Sequence, residues 1–344
     1  MFGLATLLAL LAGLAATAPA QDLPETEGRL LVLNQGAENL MVFEVPSHRL
    51  LATIPLGHDP REVAATPDGR KAYVSIRGSQ GVAVIDLDSY KVVKMIGAAG
   101  FQAPQGLVVT ADARWLLVTS EGNRRLILVD ARRDVVARSL TTPQHGGHCI
   151  AIGENGRQAY VANRESDTVS VVRLPELKLQ RSIKVGPDPE GIAVAPNGRF
   201  VVVALQGSGQ AALMDTSTDQ VAARLPVGQA PVRVTFAPRS FTALMVNRDS
   251  DDLTVLDVLS RKITKTIRVG RRPIGVVTNP RGSRGYVANS ESGTVSVFSI
   301  PGYEVKEEIR VGARPVGLVF VPPPVERGGR RAAAEPSKAM EGSG

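Results

Sequence analysis

Short apolar runs of strand length recur along nearly the whole chain, separated by clusters of Gly, Pro, Asn, Asp and Ser. The stretch 186–227 shows their order: GIAVA, the turn PNGR, FVVVA, the loop LQGSGQ, AALMD, and a last run, VAARLPVG. The runs are rich in β-branched residues and bounded by turn chemistry, so each such stretch predicts four antiparallel strands. The same order returns at a fixed period. Pro189, Pro231, Pro273 and Pro315 stand 42 residues apart, in GPDPEG, GQAPVR, GRRPIG and GARPVG. Earlier copies are GHDPRE at Pro60 and FQAPQG at Pro104, and ENGR at 154–157 marks a seventh in which Gly147 replaces the proline.

A four-stranded unit of this size cannot cover both of its own apolar faces, so neighbours must stack, and a ring of such sheets is the β-propeller solution. The expected fold is all-β: a seven-bladed β-propeller of four-stranded antiparallel blades. The blade count is decided at the chain ends. After Gly312 one strand follows, Val316 to Val321, whereas Arg29–Asn34, Leu40–Val45 and Leu50–Pro55 read as second, third and fourth strands without a first. Joining them closes the last blade with N- and C-terminal strands.

The first twenty residues differ from the rest. Leu4 to Ala18 is apolar and is followed by Ala18-Pro19-Ala20 and Gln21, the small-x-small pattern that ends a secretory leader. No Lys or Arg precedes the run, so an uncleaved anchor is the alternative, but the run is short for a membrane span. The expected organisation is a signal peptide at 1–20, the propeller at 21–321 and a disordered Pro/Gly/Arg-rich tail at 322–344, in a periplasmic or secreted protein. Aromatics supply 4% of the 344 residues, so Val, Ile, Leu and Ala must build the core. The single cysteine excludes an internal disulfide and any multi-cysteine metal centre. A net charge of +7 is compatible with anionic partners.

YVAN at 160–163 and 286–289, AYVS at 72–75, the VGxxPxG turns and the VAVID strand at 82–86 resemble the YVTN family of β-propeller repeat proteins. The resemblance covers nearly the whole chain after the leader. It implies the propeller fold and a kinship with exported bacterial proteins. The family includes propellers similar to the periplasmic single-strand-DNA-binding type, archaeal surface-layer components, propellers encoded beside quinoprotein alcohol-oxidation systems, and relatives of haem d1-binding propellers. Fold-level kinship of this kind does not select one activity.

Departures from the repeat point to a site. In a propeller, the loops entering each first strand and the loops between second and third strands meet at one mouth of the central channel. In blade order the residue before the repeat proline is Asp59, Ala103, Gly146, Asp188, Ala230, Arg272 and Arg314; the residue after it is Arg61, Gln105, His148, Glu190, Val232, Ile274 and Val316. Arg271, Arg272, Arg314 and Arg61, on the sixth, seventh and first blades, form an expected basic arc, with Asp188 and Glu190 opposite. The repeat glycine becomes Glu62, Cys149 and Arg233 on three blades. The expected ligand or partner site is the mouth lined by His58, Arg61, His148, Glu190, Arg233, Arg271, Arg272 and Arg314.

His145, His148 and Cys149 fall within five residues, side chains suited to metal or haem-iron ligation, with Glu190 or His58 as a completing ligand. The bland reading makes Cys149 a small buried filler. No Cys-x-x-Cys-His, Gly-x-Ser-x-Gly, Walker or His-Glu-x-x-His motif occurs, so no catalytic residue is assigned. Nucleic-acid binding needs aromatic platforms beside cations, and Tyr90, Tyr303 and Phe101 are the loop candidates. Three readings follow: a non-enzymatic envelope scaffold that recognises a protein or an anionic ligand; a metal- or haem-binding accessory to a redox system; and a binder of single-stranded nucleic acid.

Overall fold

A computed structural model describes residues 28–97 and 100–323. They form seven four-stranded antiparallel sheets arranged as blades. Blade 1 comprises Pro60–Ala65, Lys71–Ile76, Gly81–Asp86 and Lys91–Ile96. Blades 2 to 6 span 104–141, 147–184, 189–226, 231–268 and 273–310. Blade 7 is assembled from both ends of the chain: Pro315–Val321 pairs with Gly28–Asn34, followed by Asn39–Val45 and Leu50–Pro55. The signal peptide expected at 1–20 and the expected tail beyond Pro323 lie outside the described residues.

The repeat motifs have separate structural duties. Tyrosines of the second strands reach between blades: Tyr73 is fully buried, and its hydroxyl donates to Asp134 Oδ1 at 2.7 Å and to the Ala131 carbonyl at 3.0 Å in blade 2. The asparagine that ends YVAN pins the next turn, since Asn163 Nδ2 donates to Thr168 Oγ1 at 3.0 Å and Ser170 Oγ at 2.9 Å, and Asn289 does the same to Thr294 and Ser296. Buried apolar residues form clusters at each junction between neighbouring blades. Leu31, Leu33 and Ile54 of blade 7 pack with Val63, Val74 and Ile85 of blade 1, while Val169 and Val171 of blade 3 pack with Val201 and Val203 of blade 4. Burial between blades, and not within one, is what makes the ring a unit.

Every first strand carries a register irregularity close to its start, as between Pro60 and Glu62 or Pro231 and Arg233. Such a bulge re-aims the next side chains. Here it turns the residues after the proline toward the channel mouth.

Candidate site at the channel mouth

The outer ring of the mouth is built by one hydrogen bond repeated in all seven blades. The residue following each second strand donates its backbone N–H to the carbonyl of the residue before the repeat proline: Arg77 to Asp59, Glu121 to Ala103, Arg164 to Gly146, Gln206 to Asp188, Arg248 to Ala230, Ser290 to Arg272 and Gln35 to Arg314, at 2.9 to 3.1 Å. The acceptor residue has a left-handed φ in each case, from 49° at Asp188 to 67° at Gly146. Six of the seven are not glycine, and the strain is held by this bond. Its consequence is that the side chains before the proline stand on the rim beside those that follow the second strand. Arg77, Glu121, Arg164 and Arg248 thus join the site. The sequence reading missed this second column; its signal was the polar residue directly after each YVAN-like run.

The middle ring contains an oriented relay. Arg61 Nε donates to Gln105 Oε1 at 3.2 Å, and Gln105 Nε2 lies 2.8 Å from His148 Nε2. A guanidinium can only donate, so the amide oxygen of Gln105 faces Arg61 and its NH₂ donates to His148. His148 therefore accepts at Nε2 and, when neutral, carries its proton on Nδ1, 3.3 Å from Cys149 Sγ. Burial holds the His148 proton affinity well below the ordinary histidine value, and the charges of Arg164, Arg233, Arg61 and Arg77 act in the same direction. The neutral form required by the relay is the one the environment favours.

Below the relay the channel is crossed by Arg233. Its Nη2 lies 2.6 Å from Glu62 Oε2 on blade 1 and its Nη1 donates to Cys149 Sγ on blade 3 at 2.9 Å. Glu62, Cys149 and Arg233, which replace the repeat glycine, thus form one strap between alternate blades. The strap fits only because Gly106 and Gly191 remain: a Cβ on Gly106 would sit 2.2 Å from the His148 carbonyl oxygen, and one on Gly191 2.7 Å from Arg233 Cα. Cys149 is 3% exposed and packs on Tyr160 and Val203 as a filler would. Burial first, with Glu62 and Glu190 adding to it, pushes its thiol up to about 12, against the opposing charge of Arg233. Beneath the strap lies a space of about 350 Å³ walled by residues such as Val108, Ile150, Ile192 and Leu318.

The expected polarity of the rim is corrected on its acidic side. Asp188 and Glu190 are not an open acidic patch, because Arg164 donates to Asp188 Oδ1 at 2.8 Å and reaches Glu190 Oε2 at 3.9 Å, and Gln206 Nε2 caps Glu190. Burial raises the Glu190 pKa, opposed by Arg164 and Arg233. Arg248 is likewise paired, with Asp249 at 2.8 Å. The arginine side differs. Arg271, Arg272 and Arg314 are exposed, and among the described residues no carboxylate lies within ion-pair distance of them. Arg61, the last of the arc, is half-buried and 3.5 Å from Asp59; burial first, then Arg77 and Arg314, lowers its pKa, with Asp59 and Glu121 opposing.

His58 stands outside the channel, 82% exposed on its side chain, with Nδ1 2.7 Å from Glu38. That partner, first by hydrogen bond and then by charge, raises its pKa. His145 and His148 have separate surroundings. His145 is exposed and 3.3 Å from Arg124 Nη1, whereas His148 is 7% exposed inside the relay. Among the described residues no group of three or more His, Cys, Asp or Glu side chains is placed to hold a metal ion. The loop aromatics also turn inward: Phe101 is buried at the junction of blades 1 and 2, and Tyr90 and Tyr303 pack partly on neighbouring cores. They offer the mouth no stacking platform.

A family described as "Lactonase, 7-bladed beta-propeller" matches residues 131–236. The chain is 31% identical over 119 residues to the seven-bladed beta-propeller protein Rv1057 of Mycobacterium tuberculosis, a match that spans 33% of this chain and 29% of that protein. Among solved structures, hydrazine synthase of Kuenenia stuttgartiensis superposes with a TM-score of 0.72 at 18% identity, covering 80% of this chain and 93% of that one. A functionally unknown protein from Desulfotomaculum acetoxidans gives 0.74 at 16% identity, covering 86% and 99%. Dihydro-heme d1 dehydrogenase NirN gives 0.65 at 15% identity, covering 85% and 75%. At these identities the structural likeness speaks for fold, and blades and comparisons agree that the chain is a seven-bladed β-propeller.

Proposed function

We propose that this chain is a non-catalytic binding propeller that receives an anionic group of a protein or small ligand at the channel mouth, and that it does so outside the cytoplasm. One observation carries the reading. The arginines on the side of blades 3 to 5 are neutralised in place, Arg164 by Asp188, Arg248 by Asp249 and Arg233 by Glu62. Those on blades 6 and 7, Arg271, Arg272 and Arg314, stand exposed on turns of fixed backbone with no such partner among the described residues. Cations preplaced on rigid turns and held in no ion pair favour an anion at little cost in ordering. The export expectation rests on the apolar leader at 4–18, and it places the mouth among envelope proteins and ligands.

The test compares two charge reversals in the full chain. A fluorescent hexaglutamate peptide serves as anionic probe and anisotropy reports binding at several salt concentrations. The double variant Arg272→Glu/Arg314→Glu should weaken binding at least about tenfold, the size of roughly 1.4 kcal/mol, and should flatten its salt dependence. Arg132→Glu/Arg133→Glu makes the same charge change on the opposite face, where both residues are exposed, and should leave affinity nearly unchanged. Equal losses in the two variants would reduce the effect to net charge and sink the reading.

A further inference from the structure

On the face opposite the mouth, where blade 7 meets blade 1, a cavity of about 500 Å³ is lined by Arg29, Val45, Pro46, Leu51, Leu87 and Tyr90, with Glu44, Asp88 and Pro323 at its edges. Arg29 is 8% exposed. Its Nη1 donates to the Leu87 carbonyl at 2.6 Å and its Nη2 to the Gly69 carbonyl at 2.5 Å, while Nε is buried without a hydrogen-bond partner. Neutral carbonyls satisfy donors but do not balance the charge, and among the described residues no carboxylate pairs with this guanidinium. A buried, uncompensated arginine is costly unless an anion completes it. The guanidinium carbon is 6.0 Å from the centre of the Tyr90 ring, so the cation sits beside an aromatic and aliphatic wall.

The flanking acids narrow the ligand. Glu44 is already held by Ser47 Oγ at 2.5 Å and by Arg49 at 3.0 Å, which lowers its pKa, Ser47 contributing most. Asp88 is exposed at the edge. Arg29 offers one positive charge and Asp88 stands at the opening, so a singly charged anion is favoured over a doubly charged one, while the volume is that of a site for a small organic molecule. We propose that this cavity is a second ligand site that binds a monocarboxylate with an apolar body, aromatic or short aliphatic, its carboxylate on Arg29 and its body against Leu51, Leu87 and Tyr90. A molecule bound there touches blade 7 and blade 1 together and so stabilises the junction at which the ring is closed.

Calorimetric titration of the full chain with benzoate and with octanoate tests this, with benzyl alcohol as the neutral counterpart of benzoate. The carboxylates should bind, raise the thermal unfolding midpoint, and be favoured over the alcohol by at least about tenfold. Arg29→Gln should abolish that preference. Because this change also disturbs the blade junction, Leu51→Trp provides a second route: it fills the cavity from a half-buried position and leaves Arg29 in place, and it should remove binding while the protein stays folded. Absence of binding by either carboxylate in the folded full chain, or binding that survives both variants, overturns the proposal. Binding that emerges only when Glu25, Glu27 and Glu326 are replaced by Gln also overturns it, since the chain would then supply its own anion.

Discussion

Arg233 occupies a position where the repeat calls for glycine, and its guanidinium spans the channel to Glu62 and Cys149. Removing one partner of such a pair leaves a charge in a confined space, so Arg233→Met should cost about 3–5 kcal/mol in urea unfolding. The double change Arg233→Met/Glu62→Met should recover most of that loss, and a double variant as unstable as the single one would show that the strap is not the source. His148 gives a pH prediction of definite sign. Its folded-state pKa lies below the unfolded value of about 6.5, so the native state binds fewer protons than the unfolded chain at mildly acid pH. Its contribution is complete above about pH 6.5 and is lost as pH falls through and below that value. His148→Asn, which cannot titrate, should flatten the fall in stability between pH 7 and pH 5; an unchanged slope would assign that fall to other groups. The presence of Arg233, His148 and Cys149 at special positions was legible from the broken glycine column. Their convergence was not, because they come from blades 3 and 5 and meet only where the ring brings strand starts together.

At the scale of strands, the second-strand tyrosines share one sequence position but not one environment. Tyr73 finds Asp134 and the Ala131 carbonyl in the next blade, whereas the Tyr286 hydroxyl is buried without a partner, its ring edge-on to His48 at 5.8 Å. Tyr73→Phe should therefore destabilise by about 1–2 kcal/mol and Tyr286→Phe by close to nothing, compared by urea denaturation. Equal effects would mean that the blade-to-blade hydroxyl contact carries no stability. The strands themselves were readable because alternation and turn residues are local properties: GIAVA and FVVVA are found as Pro189–Val194 and Phe200–Leu205. What Tyr73 and Tyr286 touch is set by the following blade, 58 and 61 residues on in blade 2 for Tyr73 and at the other end of the chain in blade 7 for Tyr286.

Over the whole molecule, ring closure rests on Pro315–Val321 pairing with Gly28–Asn34. Ending the chain before Pro315 removes the first strand of blade 7 and uncovers Leu31, Leu33 and Val63, which are buried in the closed ring. The truncated chain should lose its single cooperative unfolding transition and bind a hydrophobic dye; retention of a sharp transition at the native midpoint would show that closure contributes little. This closure could be anticipated from sequence, since strands missing at one end are present at the other. Sequence by itself determined the repeat, the number of blades and the identity of the residues that depart from the pattern, because periodic burial and turn chemistry are written in neighbouring positions. Only the tertiary structure decided which charges remain without a partner. Asp188 reads as an open acid until Arg164 is seen beside it, and Arg29 reads as an ordinary strand residue until the blade 7 and blade 1 surfaces enclose it. The physical reason is that pairing and desolvation depend on distances across the ring, which the order of residues along the chain does not contain.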